Sequence, residues 1–243
     1  MGNTGRVVGG VVLAVLAGGW IALGRLTVPP LLGWAAVAAA GFTVAGSVLQ
    51  PDARAPTDAW SRGAVEFAAF AGVMIGLAAG ALAGGVAVLL GLAGLAAMIG
   101  YARLAERRGS LGHLALAALG GLPFMYGAVA VGRPMAGIVP WILAAWLQLL
   151  RTTVIDLETE SHDRARAART LSTVLALAFI PVSLVLPARA GYGGAYFLLA
   201  LFAQLAVLVT AARLIVGRLD GVSVLLKGAM ALGAVALVAG RVA

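Results

Sequence analysis

Residues 67 to 102 are thirty-six consecutive positions without one charged side chain, and without Ser, Thr, Asn or Gln. A helix crosses the hydrocarbon core of a bilayer with about 20 apolar residues. This run is therefore too long for one crossing and is suited to two, and Gly84-Gly85 offers the tight turn that would divide it. It lacks the polar–apolar alternation of a β-barrel strand. Similar runs recur along the chain, in which 62% of residues are apolar and 11% charged. A soluble domain carries about 25% charged residues to cover its surface, so the solvent of this chain is lipid.

Breaks at charge, Pro and Gly clusters predict nine helical spans, at about 7–25, 31–49, 64–82, 86–103, 111–131, 135–152, 170–187, 193–213 and 222–240. The expected fold is a single all-α, polytopic transmembrane domain. Arg6 followed by an apolar run reads as the first span rather than as a cleaved leader. The 34 glycines are a packing signal, because small residues let membrane helices approach closely. There is no cysteine, which excludes disulfides and thiolate chemistry.

The formal net charge of +8 comes from 17 basic residues, all but Lys227 arginine, against nine acidic ones. With no basic domain outside the spans, it is read as membrane-interface charge and not as a nucleic-acid surface. The N-terminus and even-numbered loops hold twelve of the basic residues, while the odd loops and C-terminus hold Arg25, Arg133, Arg189 and Arg241. The positive-inside rule then places the N-terminus in the cytosol and the C-terminus outside the cell membrane. All nine acidic residues fall at or near the even-loop face. Charged chemistry is therefore expected on that face.

The densest polar segment follows the sixth span: Arg151-Thr-Thr-Val-Ile-Asp156-Leu-Glu158-Thr-Glu160-Ser-His162-Asp163-Arg164-Ala-Arg166-Ala-Ala-Arg169-Thr170. Its carboxylates are hard oxygen donors of the kind Mg²⁺ takes together with substrate phosphates. Its arginines suit a diphosphate. If the segment is helical throughout, Asp156, Glu160 and Asp163 recur on one face. A solvated loop held by Glu–Arg pairs is the plainer alternative.

This segment resembles the second aspartate-rich motif of the UbiA superfamily of intramembrane prenyltransferases. Arg151, Asp156, Glu158, Asp163, Thr170 and Leu171 fall on motif positions without a gap. A second passage, Tyr101-Ala-Arg-Leu-Ala-Glu-Arg107-Arg108-Gly-Ser-Leu-Gly112-His113 followed by Gly121-Leu-Pro-Phe-Met-Tyr-Gly127, is similar to the family's stretch across its fourth and fifth spans. The resemblance implies a nine-helix bundle that moves an isoprenyl group from a prenyl diphosphate to an acceptor, with Mg²⁺ as cofactor. Asp156 and Asp163 would be catalytic. The metal would be held by Asp156, Asp163, Glu160, Asp52 and Asp58, and the diphosphate by Arg107, Arg108, Arg151, Arg164, Arg169 and Tyr101. The acceptor is open, and a protein partner is a further possibility.

The chain departs from the family pattern where the first motif should end the second span. Ala45 and Gly46 stand at its Asn-Asp pair, Leu49 at the next Asp, and only Asp52 lies close to the last. In the second motif Ile155 replaces a Lys and Thr159 an Asp, and in the fourth loop Glu106 replaces a basic residue. Two other readings stay open on these grounds: a membrane terpene cyclase related to UbiA, and a catalytically silent isoprenoid-binding or partner protein on the same fold.

Several side chains have two readings. Trp20, Trp34, Trp60, Trp141 and Trp146 suit an interfacial belt, with Trp141, Trp146 and Tyr126 the best placed to face a carbocation. His113 is read as a helix-end hydrogen-bonding residue and His162 as an exposed one. Lys227, inside the last span, is expected to snorkel.

Overall fold

The computed structural model describes residues 2–49, 62–105, 110–159 and 162–243. These residues form nine α-helices: α1 (Gly2–Leu23), α2 (Pro30–Leu49), α3 (Arg62–Ala83), α4 (Gly85–Ala105), α5 (Ser110–Ala130), α6 (Ile138–Thr159), α7 (His162–Arg189), α8 (Gly194–Val216) and α9 (Val222–Val242). A 3₁₀ turn, Pro134–Gly137, precedes α6. Helix is the form that satisfies every backbone N–H and C=O within one segment, which lipid demands. Eight of the nine are long and apolar enough to cross a membrane; the apolar stretch described in α4, Gly85–Gly100, is shorter. Helices α3 and α4 part at Gly84, whose φ of +122° is open to glycine but strained for other residues.

The chain divides into two compact units, residues 1–115 with 122–138, and residues 116–121 with 139–243. In the first, α2 packs on α1, α3 and α4. Its seam with α3 is backbone to backbone. A Cβ on Gly41 would sit 2.7 Å from the Gly72 carbonyl oxygen, and one on Gly72 would meet the Gly41 carbonyl at the same distance. The Phe42 ring fills the space left by Gly76 and Gly91. Gly127 likewise lies against the Val15 carbonyl, and Gly18 against that of Phe124. The Arg133 guanidinium donates to the Ala22 carbonyl at 3.0 Å, placing a cation on the negative end of α1.

In the second unit polar side chains tie the helices. Pro187 has no N–H to give the Ser183 carbonyl one turn earlier in α7. The Tyr196 hydroxyl, from α8, donates to that carbonyl at 2.6 Å instead. The Gln204 amide, also on α8, donates to the Ser183 hydroxyl at 3.0 Å. The Trp146 indole of α6 donates to the Leu175 carbonyl of α7, also at 3.0 Å. Helix α9 packs along α8. Its end is held by Gly193 N–H donating to the Gly240 carbonyl at 2.8 Å, and by Arg241 stacked 4.6 Å over the Tyr192 ring. Burial pushes the Tyr192 phenol up to about 12, and Arg241 opposes part of that rise.

Candidate functional site

The polar segment after the sixth span is more helical than its charge suggests. Helix α6 continues to Thr159, seven residues past the expected end, and α7 opens at His162, eight before its expected start. Ala and Arg fill residues 164 to 169 and are strong helix formers. The motif is thus carried mainly on two helix ends.

Asp156 sits on the last turns of α6 and is partly buried. Arg151, five residues earlier and also partly buried, has no partner for its Nε among the described residues. Beneath them Thr152 and Thr153 are buried, and the Ser172 hydroxyl of α7 donates to the Thr153 hydroxyl at 3.1 Å. This bond ties the helix that carries Asp156 to the helix that carries Asp163. Neither Thr153 nor Ser172 stands out in the sequence, and no spacing rule singles them out.

Arg169, on α7, is partly buried, and its Nη1 lies 3.2 Å from where Gly217 would bear a Cβ. The end of α8 is thereby next to the start of α7. Arg169 stands at the carbonyl-rich end of α8, a position that favours a cation. Arg166, one turn earlier, is exposed. Asp163 and Arg164 lie on α7 and Tyr101 on α4. Asp52, Asp58, Arg107, Arg108 and Glu160 lie outside the described residues, and with Glu160 goes the expected one-face phasing of Asp156, Glu160 and Asp163.

Ala45 and Gly46, matched to the Asn-Asp pair of the eroded first motif, are packing positions. Ala45 is fully buried, and a Cβ on Gly72 of α3 would lie 3.0 Å from its backbone nitrogen. Gly46 faces Met98 of α4, where a Cβ would come within 2.7 Å of Met98 Cε. A carboxylate at either position would be set into an apolar seam, which is costly without partners. Among the described residues no three His, Cys, Asp or Glu side chains gather into a metal-holding group.

Trp141 and Trp146 are less belt residues than cross-links. Trp141 donates its indole N–H to the Ala118 carbonyl at 3.0 Å, as Trp146 does to Leu175. Tyr126 is buried in the core of the first unit, its hydroxyl without a hydrogen-bond partner among the described residues. His113 is partly buried on α5, and Lys227 is exposed on α9.

The class is therefore a polytopic helical membrane protein with an acidic and arginine-rich helix-end site. No protein-family model matches the chain. It is 34% identical to digeranylgeranylglyceryl phosphate synthase of Halobacterium salinarum, across 79% of this chain and 73% of that protein. It is 30% identical to the synthase of the same name from Natronomonas pharaonis, across 95% of this chain and 94% of that one. Among solved structures, a UbiA homologue from Aeropyrum pernix superposes with a TM-score of 0.76 at 18% identity, covering 93% of this chain and 96% of the other. A structure of digeranylgeranylglyceryl phosphate synthase in membranes gives 0.73 at 14% identity, covering 98% and 93%. The chain belongs to the UbiA superfamily of intramembrane prenyltransferases.

Proposed function

We propose that the chain transfers an isoprenyl group from a prenyl diphosphate to an acceptor within the membrane, with Mg²⁺ holding the diphosphate. The observation that carries this reading is the ungapped second motif on the facing ends of α6 and α7, with Asp156 half-buried on α6 and Thr153 bonded to Ser172 below it. Asp156, Asp163 and Glu160, with Asp52 or Asp58, would hold the metal. Arg151 and Arg164, together with Arg107, Arg108, Arg169 and Tyr101, would neutralise the diphosphate as the C–O bond ionises. The allylic carbon then bonds to a nucleophilic oxygen of the acceptor, which loses its proton, and diphosphate leaves. The name of the sequence relatives points to the acceptor class, a glyceryl phosphate that already bears one prenyl chain.

The test is diphosphate release by the full chain in lipid, supplied with prenyl diphosphate and acceptor. Release should depend on Mg²⁺ and fall at least about 100-fold in Asp156→Ala, a loss of about 3 kcal/mol of transition-state stabilisation. Undiminished release in EDTA or in that variant would sink the proposal.

The apolar use of positions 45 and 46 favours a second reading, a silent binder of prenyl diphosphates. Saturable binding with no turnover by the wild-type chain would establish it. Prenyl diphosphate converted without any acceptor would instead indicate a cyclase.

A further inference from the structure

The turn from α8 to α9 builds a groove that the proposed chemistry does not use. It has a volume of about 450 Å³ and is lined by Val209, Ala212, Arg213, Val216, Arg218 and Asp220. Its walls below are apolar and its rim is charged. Gly217 and Gly221 bracket the turn in left-handed conformations, at φ +79° and +71°. The Arg218 N–H bonds the Arg213 carbonyl at 2.9 Å, and the Arg213 guanidinium donates to the Asp220 carbonyl at 2.5 Å. The rim is therefore held in shape before any ligand arrives. Arg213 uses one N–H in that bond, leaving others of its five to point elsewhere.

Depth separates this rim from an ordinary interfacial arginine. Arg213 is followed toward the helix end by Ile215 and Val216, which are 66% and 70% exposed. The guanidinium thus springs from a point about 4 Å inside lipid-facing apolar surface, at 1.5 Å per residue. A cation at that depth is stabilised when a headgroup phosphate is drawn in to meet it. The lining holds two arginines and one aspartate, so its formal charge excess is positive. The apolar floor continues down α8 through Leu208 and Leu205, exposed along the same helix, which suits an acyl or isoprenoid chain.

We propose that the α8–α9 groove is a binding site for an anionic phospholipid, its phosphate on Arg213 and Arg218 and one chain along α8. None of the groove's lining residues is assigned to prenyl transfer, although Arg169, which is, lies against Gly217 of the same turn.

The test titrates the purified full chain in detergent with phosphatidylglycerol or phosphatidylcholine of matched chains and counts bound lipid by native mass spectrometry. Phosphatidylglycerol should bind preferentially. Arg218→Gln should weaken it about fivefold, the value of one interfacial cation. Asp220→Asn should tighten it, because a repelling carboxylate is removed. Lys227→Gln, exposed on α9 but outside the groove lining, should leave it unchanged. Equal binding of the two lipids overturns the proposal. So does an equal loss in Lys227→Gln, which would mean a diffuse field. Displacement of the lipid by millimolar inorganic phosphate would mean that the groove reads free phosphate. Thermal midpoints of the variants report folding, and if Arg218→Gln is unstable, the sign of the Asp220→Asn effect decides.

Discussion

In the first unit the closest contacts run from backbone to backbone, Gly41 on Gly72 and Gly127 on Val15, with Phe42 filling the gaps between. In the second unit the seams are crossed by side-chain hydrogen bonds, Thr153 with Ser172, Ser183 with Gln204 and Tyr196, Trp146 with Leu175. Lipid gives helices no hydrophobic reason to associate, which leaves dispersion and polar bonding; each unit uses both, since Arg133 bonds the Ala22 carbonyl in the first and Gly121 lies against the Trp141 carbonyl in the second, and the two differ in balance. The difference follows the chemistry. The first unit has surrendered its share of the acidic motif to packing at Ala45 and Gly46. The second carries a partly retained motif and ties α6 to α7 by the Ser172–Thr153 bond. A helix pinned by directional bonds presents Asp156 at a set height, whereas smooth glycine seams set distance better than register.

The largest effect expected from this contrast is on catalysis. Asp156→Asn should cut prenyl transfer by at least about 100-fold, while Asp52→Asn, at the remnant of the first motif, and Asp58→Asn should each cost about tenfold or less. Equal losses in steady-state transfer assays would mean that both motifs still work as a pair. Next comes Gly127→Val. Its side chain has nowhere to go but into the Val15 carbonyl, and overpacking should cost about 1–3 kcal/mol of stability. Denaturation in detergent measures it; a stability unchanged from wild type would show that the glycine seam yields easily. Gln204→Leu should be milder, because interhelical hydrogen bonds in membranes average about 0.6 kcal/mol. If that variant lost activity out of proportion to stability, α8 would be shown to set the register of the site helices. The smallest effect concerns Tyr192. Its phenol is raised to about 12 by burial, and Arg241 opposes the rise. Arg241→Gln should therefore move that phenol's alkaline titration to still higher pH, seen as later tyrosinate absorbance. A shift downward would contradict the stacking.

Much of the fold was legible because lipid imposes a coarse rule that composition obeys. The break at Gly84-Gly85 could be read because a charge-free run twice the bilayer thickness must turn somewhere, and α3 and α4 part there. The ends of α6 and α7 lie beyond the expected spans because a cluster of charge marks the end of hydrophobicity only. A helix need not end where its hydrophobicity does; Ala and Arg continue it into the aqueous phase. The motif around Asp156 was visible as a pattern of residue types at fixed spacing. The Thr153–Ser172 bond and the repair of the Ser183 carbonyl by Tyr196 were not, because each joins residues from different helices.

The sequence by itself determined that this chain is a bundle of membrane helices. Charge and length sufficed, since burying an ion or an unbonded peptide group in hydrocarbon costs several kcal/mol. It also carried the family motif at Asp156. Only the tertiary structure decided which glycines touch backbone and which polar groups meet across α7. It also decided that positions 45 and 46 serve packing and not metal, and that Arg213 and Arg218 share a groove. These depend on contacts a few ångströms wide between distant parts of the chain, set by helix rotation and axial shift. Hydropathy is blind to both, because turning an apolar helix about its axis in lipid changes its neighbours and leaves its composition the same.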